Sequence, residues 1–202
     1  MKAKTKVLAA SVIILTGTLL AVCWAVNEPA EPWSLSGSWI DAFVGPDGSH
    51  TLCFMMLTPV DSDGNRYTFW LSFLNADYKV GGIWPEADGA PDMLGTAVRT
   101  GLNTYTYTAL GYATKSRQGQ RAEVLGTLVF SGKFELTGPD TMADTGSFVA
   151  LYGPDADVNP VDGLPDEGAT PFLCAGPMET SARRIGVMAP CTPIPMPQPP
   201  KQ

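Results

Sequence analysis

Turn signals interrupt this chain at intervals of about 8 to 12 residues, and the runs between them are too short for ordinary helices. The runs are 35–44, 50–58, 66–75, 79–84, 93–100, 103–114, 121–131, 133–138 and 143–152, and they are rich in β-branched and aromatic residues. In the third, Tyr67, Phe69, Leu71 and Phe73 fall on one face, with Thr68, Trp70, Ser72 and Leu74 on the other. In the sixth, Thr104, Thr106 and Thr108 alternate with Tyr105, Tyr107 and Ala109. A period of two is that of a strand with one face buried.

The punctuation decides how these strands connect. Pro46-Asp47-Gly48, Asp61-Ser62-Asp63-Gly64-Asn65, Ser131-Gly132-Lys133 and Gly138-Pro139-Asp140 are turn sequences, supplying a fixed or positive φ where the chain reverses. Connections this short cannot carry the dozen or so residues that join parallel strands. The expectation is an all-β fold: an antiparallel meander of about 8–9 strands in a closed or nearly closed barrel, which removes the exposed sheet edges. A two-sheet sandwich is the alternative. The barrel is expected over 33–152, after a linker at 27–32.

Upstream, Lys2, Lys4 and Lys6 precede the uncharged apolar run 7–26, which reads as a signal peptide or an N-terminal membrane anchor. Leu20-Ala21-Val22-Cys23 resembles the bacterial lipoprotein box, with Val22 where that pattern has a small residue. Each route puts the rest of the chain outside the cytoplasm, touching a membrane only through this segment. The formal net charge is −7, and without the three lysines 10 basic residues face 20 acidic ones. Nucleic acid is excluded as a partner, because phosphate binding needs a basic footprint. A single His rules out multi-His metal sites, and no nucleophile elbow, phosphate loop or Cys-x-x-Cys is present. The chain reads as no enzyme, although Asp41, Glu123 and Glu135 lie in strand runs where a carboxylate could turn inward.

Gly37-Ser38-Trp39 on the first strand resembles the Gly-x-Trp signature of lipocalins and related calycin barrels. That resemblance implies that Trp39 plugs the closed end of the barrel while a cavity opens at the other. A ligand face is expected from Trp39, Trp70, Tyr105, Tyr107 and Tyr112, with Trp84 beside them, holding a small apolar ligand or an envelope protein. The function expected is an exported, non-catalytic binding module.

Residues 153–170 form an acidic loop in which Asp155, Asp157, Asn159, Asp162 and Asp166 offer oxygen ligands at a spacing that suits calcium. It resembles a degenerate thrombospondin type 3 repeat, with Pro160 and Val161 breaking the unit. The alternatives to the binding module are a calcium-stiffened structural or adhesive domain and an enzyme of unrecognised type. No cofactor is expected, with calcium the one candidate; the segment reads first as a solvated acidic turn. The segment 171–202 is expected as a Pro-rich tail in which Cys174 and Cys191 form a disulfide, a closure that adds roughly 3 kcal/mol in the chain-entropy model. Arg183 and Arg184 are expected to be solvated, or to contact the acidic loop or the barrel. Cys53 reads as a small buried hydrophobe, with His50 its nearest base in sequence.

Overall fold

The computed structural model describes residues 32–44, 50–74, 84–88, 92–158 and 161–186. Contacts divide the chain into a unit 1–32 and a unit 33–202, and the second carries the fold described here. The apolar run 7–26 and nearly all of the linker lie outside the described residues. Among those that are described, no helix is long and apolar enough to cross a membrane.

Eight antiparallel strands close in sequence order: β1 Gly37–Val44, β2 His50–Pro59, β3 Arg66–Phe73, β4 Met93–Arg99, β5 Thr104–Lys115, β6 Glu123–Gly138, β7 Thr141–Tyr152 and β8 Leu173–Arg184. The expected closed meander is what the chain forms. Alternation selects the lumen side of each strand: Trp39 and Asp41 on β1, Cys53, Met55 and Leu57 on β2, Tyr67, Phe69 and Leu71 on β3, Tyr105, Tyr107 and Ala109 on β5. An eight-stranded barrel is just wide enough for side chains to fill. Here aromatic rings fill the middle: Tyr107 stacks on Phe134 at 4.1 Å between centroids, and Phe69 meets both edge-on at 5.8 and 5.9 Å.

Two expectations need correction. Runs 121–131 and 133–138 are one strand, β6, because Ser131-Gly132-Lys133 is a bulge against β7 and not a reversal. The run 79–84 lies outside the described residues except for Trp84, which begins a turn in which the Ala87 N–H donates to the Trp84 carbonyl. Most important, the barrel does not end at 152. The part of the expected tail at Leu173–Arg184 is β8, which pairs with β7 over most of its length and closes the barrel on β1. Residues 187–202 lie outside the described residues, as does the turn 46–48.

The two ends of the barrel differ in their connections. One, the tight end, carries the turns 60–65, 100–103 and 139–140; the other, the wide end, carries the connections 45–49, 74–92, 116–122 and 153–172.

Candidate functional site

At the tight end, Trp39 is fully buried and its Nε1 donates to the Leu35 carbonyl at 3.0 Å. The Arg184 guanidinium lies 4.4 Å over the Trp39 ring. It also donates to the carbonyls of Ser34, Ser36 and Pro139, and pairs with Asp140 at 3.1 Å. Gly37 has φ +124°, and a Cβ there would fall 2.8 Å from Arg184 Nη1. The glycine of Gly37-Ser38-Trp39 thus leaves room for the guanidinium that the tryptophan supports. Arg184 is neither solvated nor near the acidic loop, which corrects two of its three expected placements.

At the wide end the inward-pointing side chains divide: Cys53, Met93, Ala113 and Leu151 are buried, while others keep contact with solvent. Phe43, Phe73, Val149 and Met178 line the lumen there, yet all are only half-buried. Between β1 and β8 the ladder runs only from Trp39↔Arg184 to Ala42↔Ser181. Beyond it Leu173 to Pro177 are exposed, and the residues that follow Val44 on the β1 side lie outside the described residues. The Trp84 indole sits over the inward face of Gly126, where a Cβ would lie 2.7 Å from its Cζ2, and meets Phe172 edge-on at 5.8 Å.

Between the two ends lies a polar cluster. Asp41 and Asp144 are 1% and 2% exposed. The Ser147 hydroxyl donates to Asp144 Oδ1 at 2.5 Å, and the Tyr107 hydroxyl donates to Oδ2 at 2.7 Å. The Thr180 hydroxyl donates to Asp41 Oδ2 at 2.8 Å, while Asp41 Oδ1 is buried with no hydrogen-bond partner. Gly132 makes the room: a Cβ there would come within 2.8 Å of Ser147 Oγ and the Tyr107 hydroxyl.

The electrostatics follow from burial. Desolvation pushes the Asp41 carboxyl up to about 6; the Thr180 hydroxyl and the Ala42 amide oppose it, and the charge of Asp144 adds to it. Desolvation likewise raises Asp144 against the hydrogen bonds from Ser147 and Tyr107. Burial, reinforced by these carboxylates, raises the Tyr107 phenol and the Cys53 thiol, which keeps both neutral. Cys53 is therefore the buried hydrophobe that its surroundings imply and not an activated nucleophile.

The expected ligand face is divided by strand parity. Trp39, Tyr105 and Tyr107 point inward and are buried, each at a different level of the lumen. Trp70 lies on the outer wall, edge-on to Phe54 at 5.7 Å. Tyr112 is on the outside as well, donating to the Gly163 carbonyl and so holding the acidic loop to β5. Asp41 was among the carboxylates weighed from sequence. Asp144, Ser147 and Thr180 were not, because a β7 bulge between Thr145 and Ser147 breaks the alternation and β8 read as tail.

The acidic loop uses its oxygens on itself. Asp157 accepts from the N–H groups of Asp162 and Gly163, Asp162 from Leu164, and Asp166 from Val158. Asn159 lies outside the described residues, and among those described no group of three His, Cys, Asp or Glu is placed to hold a metal ion. Asp155 is exposed in the short 3-10 turn Pro154–Ala156. Cys174 is an exposed free thiol on β8, and Cys191 lies outside the described residues.

Two shallow grooves mark the outer wall, one at Thr106, Thr108, Lys133 and Phe148, the other at Ile40, Ala42, Arg183 and Ile185; neither is lined by a carboxylate. No family model matches the chain, and no curated protein sequence does. Among solved structures it is similar to a redesigned beta barrel, 12% identical, over 76% of this chain and 92% of that one, with a TM-score of 0.39.

Proposed function

We propose that this chain is an exported, non-catalytic binding module that takes a small, largely apolar molecule through the wide end of its barrel. The observation that carries this reading is the half-burial of Phe43, Phe73, Val149 and Met178, apolar lumen-facing side chains toward the wide end. An apolar ligand gains by covering such surface, at about 25 cal/mol per Å² removed from water. The aromatic layer of Phe69, Tyr107 and Phe134 sets the floor, so the ligand occupies part of the barrel's depth. The lipocalin-like reading belongs here too: Trp39 lies at the closed end, as Gly37-Ser38-Trp39 implies. Export rests on the basic start and the apolar run 7–26.

Native mass spectrometry of the full chain, recovered from an exporting host, tests this. An added mass of small-molecule size that organic extraction removes, and that the stripped chain takes up again, supports a carrier. A bare polypeptide that takes up no apolar probe contradicts it. An acid–base enzyme is favoured by one observation, the buried Asp41 and Asp144 pair with its carboxyl near neutrality. The same experiment separates the two: a binding module returns its ligand chemically unchanged, whereas an enzyme returns product.

A further inference from the structure

We propose that the carboxylates of Asp41 and Asp144 recognise the ammonium group of a primary amine whose apolar body lies toward the wide end. This rests on the binding-module reading above and names the chemistry of its ligand.

Buried polar atoms in folded proteins are nearly always hydrogen-bonded, and an unpaired one is costly. Asp41 Oδ1 is such an atom, on a side chain that is 1% exposed. Its neighbours leave it free: Thr180 donates to the other oxygen, while Ser147 and Tyr107 donate to Asp144. Among the described residues the other buried side-chain atom without a partner is Arg99 Nε, itself a donor, so a missing donor is a feature of Asp41 Oδ1.

Charge says what kind of donor fits. Two carboxylates face one another's field in the lumen, and among the described residues no Lys or Arg pairs with either. The ion pairs Lys115–Glu86, Arg117–Glu123 and Arg184–Asp140 engage other carboxylates. The inward Arg99 is held at the tight end by the Tyr105 hydroxyl at 2.7 Å. The other titratable groups facing Asp41 are Cys53 and Tyr107, both kept neutral. An ammonium group brings three donors, no acceptor and the missing positive charge. A carboxylate ligand would add a third negative charge, and an alcohol would supply a donor without the charge.

The surroundings fit the rest of such a molecule. Phe43, two residues beyond Asp41 on β1, tilts against Phe73 and Phe130 with ring centroids 6.1 and 6.2 Å apart. These rings offer an apolar wall, and faces that attract a cation. The ladder between β1 and β8 ends at Ala42↔Ser181, one residue past Asp41, so among the described residues no ladder pairing ties β8 to β1 on the wide side of the carboxylate.

Isothermal titration of the full-length chain with n-decylamine, n-decanol and decanoate at neutral pH tests the proposal, with Asp41→Asn in parallel. The expected order is decylamine tightest, about tenfold or more over decanol as a charge-assisted bond allows, and decanoate weakest. D41N is expected to lose the preference for the amine, its ratio of decylamine to decanol affinity falling to about one. Equal affinity for decylamine and decanol, or an amine preference that survives in D41N, overturns amine recognition and leaves the binding module standing. Binding of none of the three overturns both. Thermal melting shows whether D41N folds; if it does not, the ranking of the three probes by the natural chain decides alone.

Discussion

The two ends of this barrel are both capped by a tryptophan, and the caps are built differently. Trp39 at the tight end is covered by Arg184, which reaches three backbone carbonyls and Asp140 from one guanidinium. That planar fork joins the segment before β1, the β6–β7 turn and the last strand, so the end is cross-linked by charge-assisted hydrogen bonds. Trp84 at the wide end rests on a glycine and on the edge of Phe172. It is held by packing, on a connection outside the barrel strands. The contrast teaches that closure here is a property of one end. The tight end makes the fold, and the wide end leaves Phe43, Phe73, Val149 and Met178 in reach of solvent.

Breaking the tight end should cost most. Trp39→Ala removes a fully buried indole, and by analogy with other aromatic truncations about 3–5 kcal/mol is lost, measured by denaturant unfolding. Arg184→Lys is the sharper version: it keeps the charge but loses the fork, so a loss of about 1–3 kcal/mol is expected where a surface exchange would cost almost nothing. If R184K unfolds at the same denaturant concentration as the natural chain, the guanidinium is not what seals this end.

The polar cluster between the ends gives a pH dependence of known sign. The folded carboxyl of Asp41 sits at about 6, above its ordinary value, so the folded state holds a proton that the unfolded chain releases. Stability is therefore greatest below the unfolded value, falls as pH rises through that window, and stays reduced above about 6. The penalty at neutral pH amounts to about 3 kcal/mol. Asp144 is raised in the same direction. Asp41→Asn should stabilise the empty chain at pH 7 and flatten its stability between pH 4 and pH 7, as read by thermal melts across that range. A chain more stable at neutral than at mildly acid pH, with D41N destabilised, would contradict the placement of this carboxyl.

Smaller effects are expected at the wide end. Trp84→Ala should cost less than W39A, because the indole is 8% exposed on a connection, packed on Gly126 and Phe172, whereas Trp39 is fully buried beneath a guanidinium. Its clearer effect should be on access, with faster exchange of an apolar probe at little change in unfolding midpoint. Least of all, a chelator should leave the melting temperature where it was, since Asp157, Asp162 and Asp166 already accept from backbone N–H groups. A fall on chelation would return the acidic loop to the calcium reading.

The same contrast governs what could be read from the chain as a string of letters. Strands β3 and β5 bury one face over most of their length, and their alternation announces it: Tyr67, Phe69 and Leu71, then Tyr105 and Tyr107, all face inward. That alternation also places Trp70 and Tyr112 outside, against their selection as ligand residues for being aromatic. Strand β8 carries almost no such signal, because its first five residues are exposed on both faces and Ala182 alone is buried. Gly176-Pro177 within it reads as punctuation. The bulges at Gly132 and Gly146 hide in the same way, and the second shifts the inward positions of β7 from Met142 and Asp144 to Ser147, Val149 and Leu151. The candidate site is assembled where parity breaks, so Asp41 and Tyr107 stand in legible strands while Asp144, Ser147 and Thr180 do not.

A crystal structure of the chain grown with n-decylamine tests the central claim most directly. The asymmetric barrel predicts the ammonium within hydrogen-bond distance of Asp41 Oδ1, the alkyl chain running past Phe43 and Phe73 toward the wide end, and Trp39 undisturbed beneath Arg184. A lumen packed with side chains from the aromatic layer to the wide rim, with the amine absent or lying on the outer wall, would contradict it.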